Sequence, residues 1–309
     1  MRWTTYISPS DQSAHVGLVE AGRIHGLPET TRLLDLLDDT ERMSAAAERA
    51  LGDPVDVLDV GTAEVLAPIP VPPSVRDFYA FEAHVLACSK ALDQPINPDW
   101  YELPVFYFQN PQATRGHLKD VELAPGTTRF DFELEVAVVV GKAGRDLQPG
   151  EAEQHIAGYM LMSDWSARDL QAREMKQTMG PVKGKDTATS YGPFLVTPDE
   201  LAGRRAGNAY DLKMTASVNG RPYSSGNLAD LHWTFGQMMS YASRGTELVP
   251  GDIIGSGTVG TGCILELSLV HGEEEYPFLK PGDAVRLEAE ELGFISCHML
   301  PGTDIIPLR

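Results

Sequence analysis

Cysteine is scarce in this chain. Only Cys88, Cys263 and Cys297 occur, too few and too scattered for a disulfide framework or a zinc cluster, so a reducing compartment is expected. Basic residues are in deficit: 25 Lys and Arg face 44 Asp and Glu, a formal net charge of −19. That balance argues against nucleic acid or an anionic membrane as partner. No run of 18 apolar residues occurs, and Met1-Arg2-Trp3-Thr4-Thr5-Tyr6 carries no apolar leader core. The expectation is a cytoplasmic protein without a membrane span. The loop Gly180-Pro181-Val182-Lys183-Gly184-Lys185-Asp186 lacks the G-x-x-x-x-G-K-[ST] spacing, which excludes a phosphate loop. There is no internal repeat and no low-complexity tract.

What is present is enough for a large core. Of the 309 residues, 42% are hydrophobic and 22% charged, which suits one large domain or a large and a small one. The central stretch is residues 130–142, rich in Val, Phe and Leu and ended by Gly141-Lys142, which reads as a strand. Glu133 and Glu135 lie two apart, so both carboxylates share one face. Two acids beside an apolar run resist desolvation unless something neutralises them. A divalent cation with oxygen ligands does so; a solvated strand end carrying two acids is the plainer alternative.

Residues 1 to about 70 form a small leading α/β module. It has a strand at 2–8, a hairpin over 15–27 turning at Glu20-Ala21-Gly22, and a helix over 30–51. His15 and His25 read as structural or surface residues. The connector Ala67-Pro68-Ile69-Pro70-Val71-Pro72-Pro73 is stiff and marks the boundary to a second domain, 71–309. Ser74 or Asp77 is placed to cap a helix running to about Leu92, with Asp77 and His84 two turns apart on one face. A plain cap and a half-exposed His explain the same residues. Residues 93–104 read as a loop or lid, and 103–108 as a strand.

An apolar strand over 157–163 runs into Asp164, a usual place for a metal ligand. Ser166 is placed to cap the next helix, where Arg168 and Gln171 share a face. A hairpin at Asn219-Gly220 and a helix over 235–243 follow. The dense glycines of 251–260 let backbone approach a ligand. Residues 264–269 read as a strand with one acid, Glu266, among aliphatics, and 284–288 and 293–297 as the last strands.

Taken in order, these motifs resemble the fumarylacetoacetase (fumarylacetoacetate hydrolase) family. The resemblance covers roughly residues 75–298. It rests on R-D-F-Y-A-F-E-x-H at 76–84, E-L-E at 133–135, S-D-W-S-A-R-D-L-Q at 163–171, G-K at 184–185, S-G-T at 256–258 and the L-E that ends at Glu266. It implies an α+β, β-rich fold, a mixed-sheet roll or sandwich with the small leading module, and a homodimer. It implies that Asp77, Glu133, Glu135 and Asp164 hold one divalent cation, Mg²⁺ first, with Mn²⁺ and Ca²⁺ as alternatives. His84 and Glu266 correspond to the family's water-activating dyad. Arg168, Gln171 and Lys185 correspond to the donors for developing negative charge, and Tyr79, Tyr107 and Thr258 to substrate contacts.

The reaction implied is hydrolysis of a C–C bond in a small 1,3-dicarbonyl or 2,4-dioxo acid such as an acylpyruvate. The alternative on the same site is a 2-oxo acid decarboxylase of the oxaloacetate type, or an isomerase or hydratase of unsaturated 2-oxo diacids. A third reading, a metal-dependent binding protein, needs a missing ligand or dyad position, and none is missing. One departure stands out. The eukaryotic fumarylacetoacetase grips the far carboxylate of its substrate with an arginine after the dyad histidine. Between Cys88 and Pro104 this chain has no Arg, only Lys90. The distal half of the substrate is therefore expected to differ.

Overall fold

In the computed structural model, which describes residues 1–91 and 93–309, the run that begins at Phe130 leads into the middle of a large sheet. The strands on its main path are β1 (Arg2–Ile7), β2 (Ala14–Glu20), β3 (Arg23–Gly26), β4 (Val57–Asp59), β5 (Val75–Phe78), β6 (Phe106–Gln109), β7 (Leu134–Val140), β8 (Ile156–Asp164), β9 (Leu195–Val196) and β10 (Ile253–Gly255). With two short pieces, Thr114–Arg115 and Thr189–Tyr191, they make a twelve-stranded sheet among the described residues. The main path runs β4-β3-β2-β1-β9-β8-β7-β10-β5-β6. It is antiparallel except for β10 and β5, which run parallel. A second sheet joins Lys213–Val218, Arg221–Asn227, Ala284–Ala289 and Gly293–Leu300, with Val121–Glu122 at its edge. The fold is α+β and β-rich, with mixed sheets. Segment 1–70 adds its strands to the large sheet through β1 and β9 rather than building a sheet of its own.

β7 is buried on both faces, which a strand of near-continuous Val and Leu requires. Leu134, Val136, Val138 and Val140 point into the main core with Phe132, Tyr159, Leu161 and the helix Phe235–Ala242. Ala137 and Val139 point the other way, against Trp3, Leu33, Leu37 and Met43 of the leading segment. Glu133 and Glu135 share the parity of Ala137 and Val139, so both acids are on that second face.

Several expectations need correction. Asp77 does not cap a helix. It sits in β5, where the prolines before it favour extended backbone and Ile253–Gly255 offers a parallel partner. The helix that carries His84 is Glu82–Ala91, and its expected end at Leu92 lies outside the described residues. Residues 264–269 are not a strand but the start of the helix Ile264–His271. A six-residue apolar run has no period that separates the two. Cys263 takes the position before the first turn, and Asp131 accepts hydrogen bonds from the Ile264 and Leu265 amides, at 2.7 and 2.9 Å. Ser166 does not cap; Ser166–Ala167 pairs with Phe130–Asp131, and the helix begins at Arg168. The helix expected over 30–51 is a short 3₁₀ turn, Leu33–Asp35, then Thr40–Gly52, which Asp39 caps by accepting from the Glu41 and Arg42 amides. The loop over 93–104 holds a 3₁₀ turn, Pro98–Tyr101, whose buried Trp100 donates its Nε1–H to the Tyr79 carbonyl at 2.8 Å.

Candidate active site

The register of the large sheet assembles the acids. Glu135 is opposite Met162 across β7 and β8, which sets Asp164 beside Glu133. On the other side Ala137 faces Gly255 of β10, and Gly255 faces Asp77 of β5. Asp77, Glu133, Glu135 and Asp164 thus come from neighbouring strands onto one face. Gly255 is the reason they fit: a Cβ there would be 2.5 Å from Asp77 Oδ1 and 3.0 Å from Met162 Cε. Carboxylate oxygens of Asp77, Glu133 and Glu135 lie within 4.8 Å of one another.

Asp77, Glu135 and Asp164 are almost wholly out of water, and Glu133 is 7% exposed. Burial and the charge of Glu133 push Asp77 up to about 6. Burial, then Asp77 and Glu133, push Glu135 well above the usual carboxylate range. Burial does the same for Asp164, against the pull of Lys185. Glu133 goes the other way, because Lys185 and Arg168 outweigh its burial. Asp77 Oδ1, Glu135 Oε1 and Asp164 Oδ1 have no hydrogen-bond partner. Buried oxygens in that state call for a partner, and a hard divalent cation with several oxygen ligands fits this donor set. The remaining oxygens are held. Gly257 donates its N–H to Glu135 Oε2 at 3.1 Å. Tyr107 donates its OH to Asp77 Oδ2 at 2.9 Å and is also hydrogen-bonded to Asp164.

Two buried cations face the acids. Lys185 Nζ is 2.5 Å from Glu133 Oε2 and is also paired with Asp164. Gly184 allows this approach, since a Cβ there would be 2.6 Å from the Gln171 nitrogen. Arg168 is 2.8 Å from Glu133 Oε1 through Nη1, and the same nitrogen donates to Gln171 Oε1 at 3.2 Å. Its Nε donates to Asp131 at 2.8 Å.

The imidazole is next to this cluster. His84 Nδ1 is 2.6 Å from Glu266 Oε2, both side chains being buried. The Thr261 N–H holds the second Glu266 oxygen at 2.9 Å. Burial alone would lower the His84 pKa, but the Cys88 thiol and the Glu266 carboxylate outweigh it and raise it to about 9. Tyr79 sets its ring edge-on to the imidazole, centroids 5.4 Å apart. Glu133 is bridged through its backbone to Cys263, whose thiol lies within 4.8 Å of His84 and Glu266 donor atoms.

The structure therefore brings the four acids, the His84–Glu266 pair, Arg168, Gln171 and Lys185 into one region. Tyr107 is anchored on the acids themselves. Thr258 is buried in the loop after β10, close to Gly257, whose φ of +76° needs glycine. Sequence reasoning missed Asp131 and Gln109. Gln109 donates to Asp77 Oδ2 at 3.1 Å and accepts from Thr189 at 2.9 Å. Its only signal was position: two residues after Tyr107 on one strand, hence on the same face.

The model of the family described as fumarylacetoacetate (FAA) hydrolase C-terminal matches residues 74–299. The human protein named oxaloacetate tautomerase FAHD2A, mitochondrial, is 30% identical over 306 residues, covering 96% of this chain and 90% of that one. The solved structure of a fumarylacetoacetate hydrolase from Exiguobacterium antarcticum superposes with a TM-score of 0.72 at 25% identity, over 97% of this chain and 99% of that one. A maleylpyruvate hydrolase from Sphingobium sp. SYK-6, in complex with manganese(II) and pyruvate, shares the fold at a TM-score of 0.73 and 21% identity, over 98% of this chain and 100% of that one.

Proposed function

Because this chain belongs to the fumarylacetoacetate hydrolase family, we propose that it is a divalent-metal-dependent hydrolase that cleaves a C–C bond in a 1,3-dicarbonyl or 2,4-dioxo acid of the acylpyruvate type. The observation that carries this reading is the buried His84–Glu266 pair beside four converging carboxylates. Such a site joins a proton acceptor to a place for a hard cation.

A cation held by Asp77, Glu133, Glu135 and Asp164 supplies positive charge that polarises a carbonyl and lowers the cost of an enolate leaving group. Glu266 engages Nδ1 of His84 and so leaves Nε2 to take a proton from water. The resulting hydroxide adds to the distal carbonyl of the substrate. Lys185 has three N–H bonds and two carboxylate partners, which leaves one donor for the oxyanion. Arg168, fixed by Asp131, presents its charge to the same region, with Gln171 beside it. The C–C bond then breaks, its electron pair leaves with the 2-oxo acid half, and His84 returns the proton to that carbon. The products are a carboxylic acid and a 2-oxo acid. Water labelled with ¹⁸O tests this: acetylpyruvate should yield acetate carrying one label from solvent, and unlabelled or absent acetate would contradict it.

A second reading is supported by the nearly end-to-end match to a protein named an oxaloacetate tautomerase. On this reading His84 moves a proton between carbon and oxygen of a 2-oxo diacid, and no water is added. Decarboxylation or isomerisation of 2-oxo acids belongs to the same reading. Faster keto–enol exchange of oxaloacetate, with no acetate from acetylpyruvate, would establish it in place of hydrolysis. The proposal includes the homodimer, for which light scattering should give twice the mass of one chain; the mass of a single chain would contradict it.

A further inference from the structure

Two thiols lie against His84, and the proposed reaction uses neither. Cys88 is one turn along the same helix, with Sγ 4.0 Å from His84 Nδ1. Cys263 comes from the other side. A ring nitrogen of His84, Sγ of Cys263 and a carboxylate oxygen of Glu266 lie within 4.8 Å of one another. All three residues are at least nine-tenths buried. The Cys263 sulfur is engaged only by a long contact from the Glu266 N–H, at 3.4 Å.

This donor set differs in kind from the acid cluster. Four carboxylates suit a hard cation, whereas thiolate, imidazole and carboxylate together suit zinc or another borderline-soft ion. Bonds of about 2.3 Å to sulfur and about 2.0 Å to nitrogen and oxygen put neighbouring donors roughly 3.3–3.5 Å apart, within reach of this triplet. The backbone supports the arrangement. Cys263 precedes the helix that carries Glu266, and His84 is near the start of the helix packed beside it. These residues are distant in sequence, so spacing alone gives no sign of such a site.

We propose that His84, Cys263 and Glu266, with Cys88 at the rim, form a second metal site that takes Zn²⁺ or a similar soft divalent ion and thereby inhibits the enzyme. Occupation separates His84 from Glu266 as a hydrogen-bonded pair, so the imidazole can no longer accept a proton from water. The inhibitory effect rests on the proposed role of that pair; the binding does not.

The test uses the full chain in saturating Mg²⁺, so that the acid cluster is occupied, with Co²⁺ as a spectroscopic substitute for Zn²⁺. One equivalent of Co²⁺ should bind and give a thiolate-to-cobalt charge-transfer band in the near ultraviolet. Cys263→Ser should abolish that band, while the serine hydroxyl can still cap the helix. In parallel, Zn²⁺ should inhibit the wild type, and the concentration for half-inhibition should rise by at least about tenfold in Cys263→Ser. Absence of the band in wild type overturns the site, as does a band that persists in Cys263→Ser. A band that disappears in Cys263→Ser while wild-type turnover is undiminished by bound Zn²⁺ would leave the site standing and overturn the role of the His84–Glu266 pair.

Discussion

Glu135 has one carboxylate oxygen on the Gly257 amide and the other without a partner. Glu135→Gln keeps the shape and removes the charge. Divalent-cation affinity, read by calorimetry, should fall by more than the roughly 10–100-fold that loss of a residue supporting a ligand costs. Unchanged affinity would remove Glu135 from the ligand set. His84 makes a separate prediction. Its pKa is raised to about 9, and a base must be neutral to act, so kcat/KM should rise with pH toward that value. Glu266→Gln removes the negative charge that favours the imidazolium. The variant's rising limb should therefore lie at lower pH than the wild type's under the same metal, with a lower plateau because the ring is less firmly oriented. A limb that stays in place would sink the pairing. These residues were legible in the sequence because acids at strand spacing and a lone histidine after a conspicuous motif carry their chemistry in their type. Asp131 was not. Its partners are Arg168 and the amides of Ile264 and Leu265, and no local pattern announces contacts across such separations.

At the scale of elements, the site depends on one strand being thin. β10 separates Asp77 from β7, and Gly255 leaves room for the Asp77 carboxylate between them. Gly255→Ala should displace Asp77, weaken cation binding and cost about 1–3 kcal/mol of stability, as overpacking a dense core does. Wild-type affinity and an unchanged denaturation midpoint would contradict this. Asp131 joins the helix Ile264–His271 to Arg168, and so links the element bearing Glu266 to a buried cation. Asp131→Ala leaves that cation with less compensation, and urea unfolding should show a loss of about 3–5 kcal/mol. A loss under 1 kcal/mol would show that Glu133 alone suffices for Arg168. The parity of Glu133 and Glu135 and the strand ending at Asp164 were readable, because a period of two is local. The strand at Asp77 was misread because its parallel partner is about 180 residues away. The helix at Glu266 was misread because short apolar runs look alike until a cap such as Asp131 arrives by folding.

For the whole molecule, the large sheet passes from the leading segment through the acid cluster to β6, so the site is built on the most buried strands of the chain. No helix among the described residues is long and apolar enough to cross a membrane. Crowded, partnerless carboxylates oppose folding unless a cation joins them. Mg²⁺ or Mn²⁺ at a hundred times its dissociation constant should therefore stabilise the fold by about 2.7 kcal/mol and raise the melting temperature. A chelator should reverse the change, and a melting temperature indifferent to both would contradict a cation at the acids. The most direct test of the central claim is a steady-state assay of metal-loaded wild type and His84→Ala on acetylpyruvate and oxaloacetate. The account predicts metal-dependent cleavage of acetylpyruvate to acetate and pyruvate that is lost in His84→Ala. Acetylpyruvate left intact by the wild type, with turnover of oxaloacetate that survives the substitution, would contradict it.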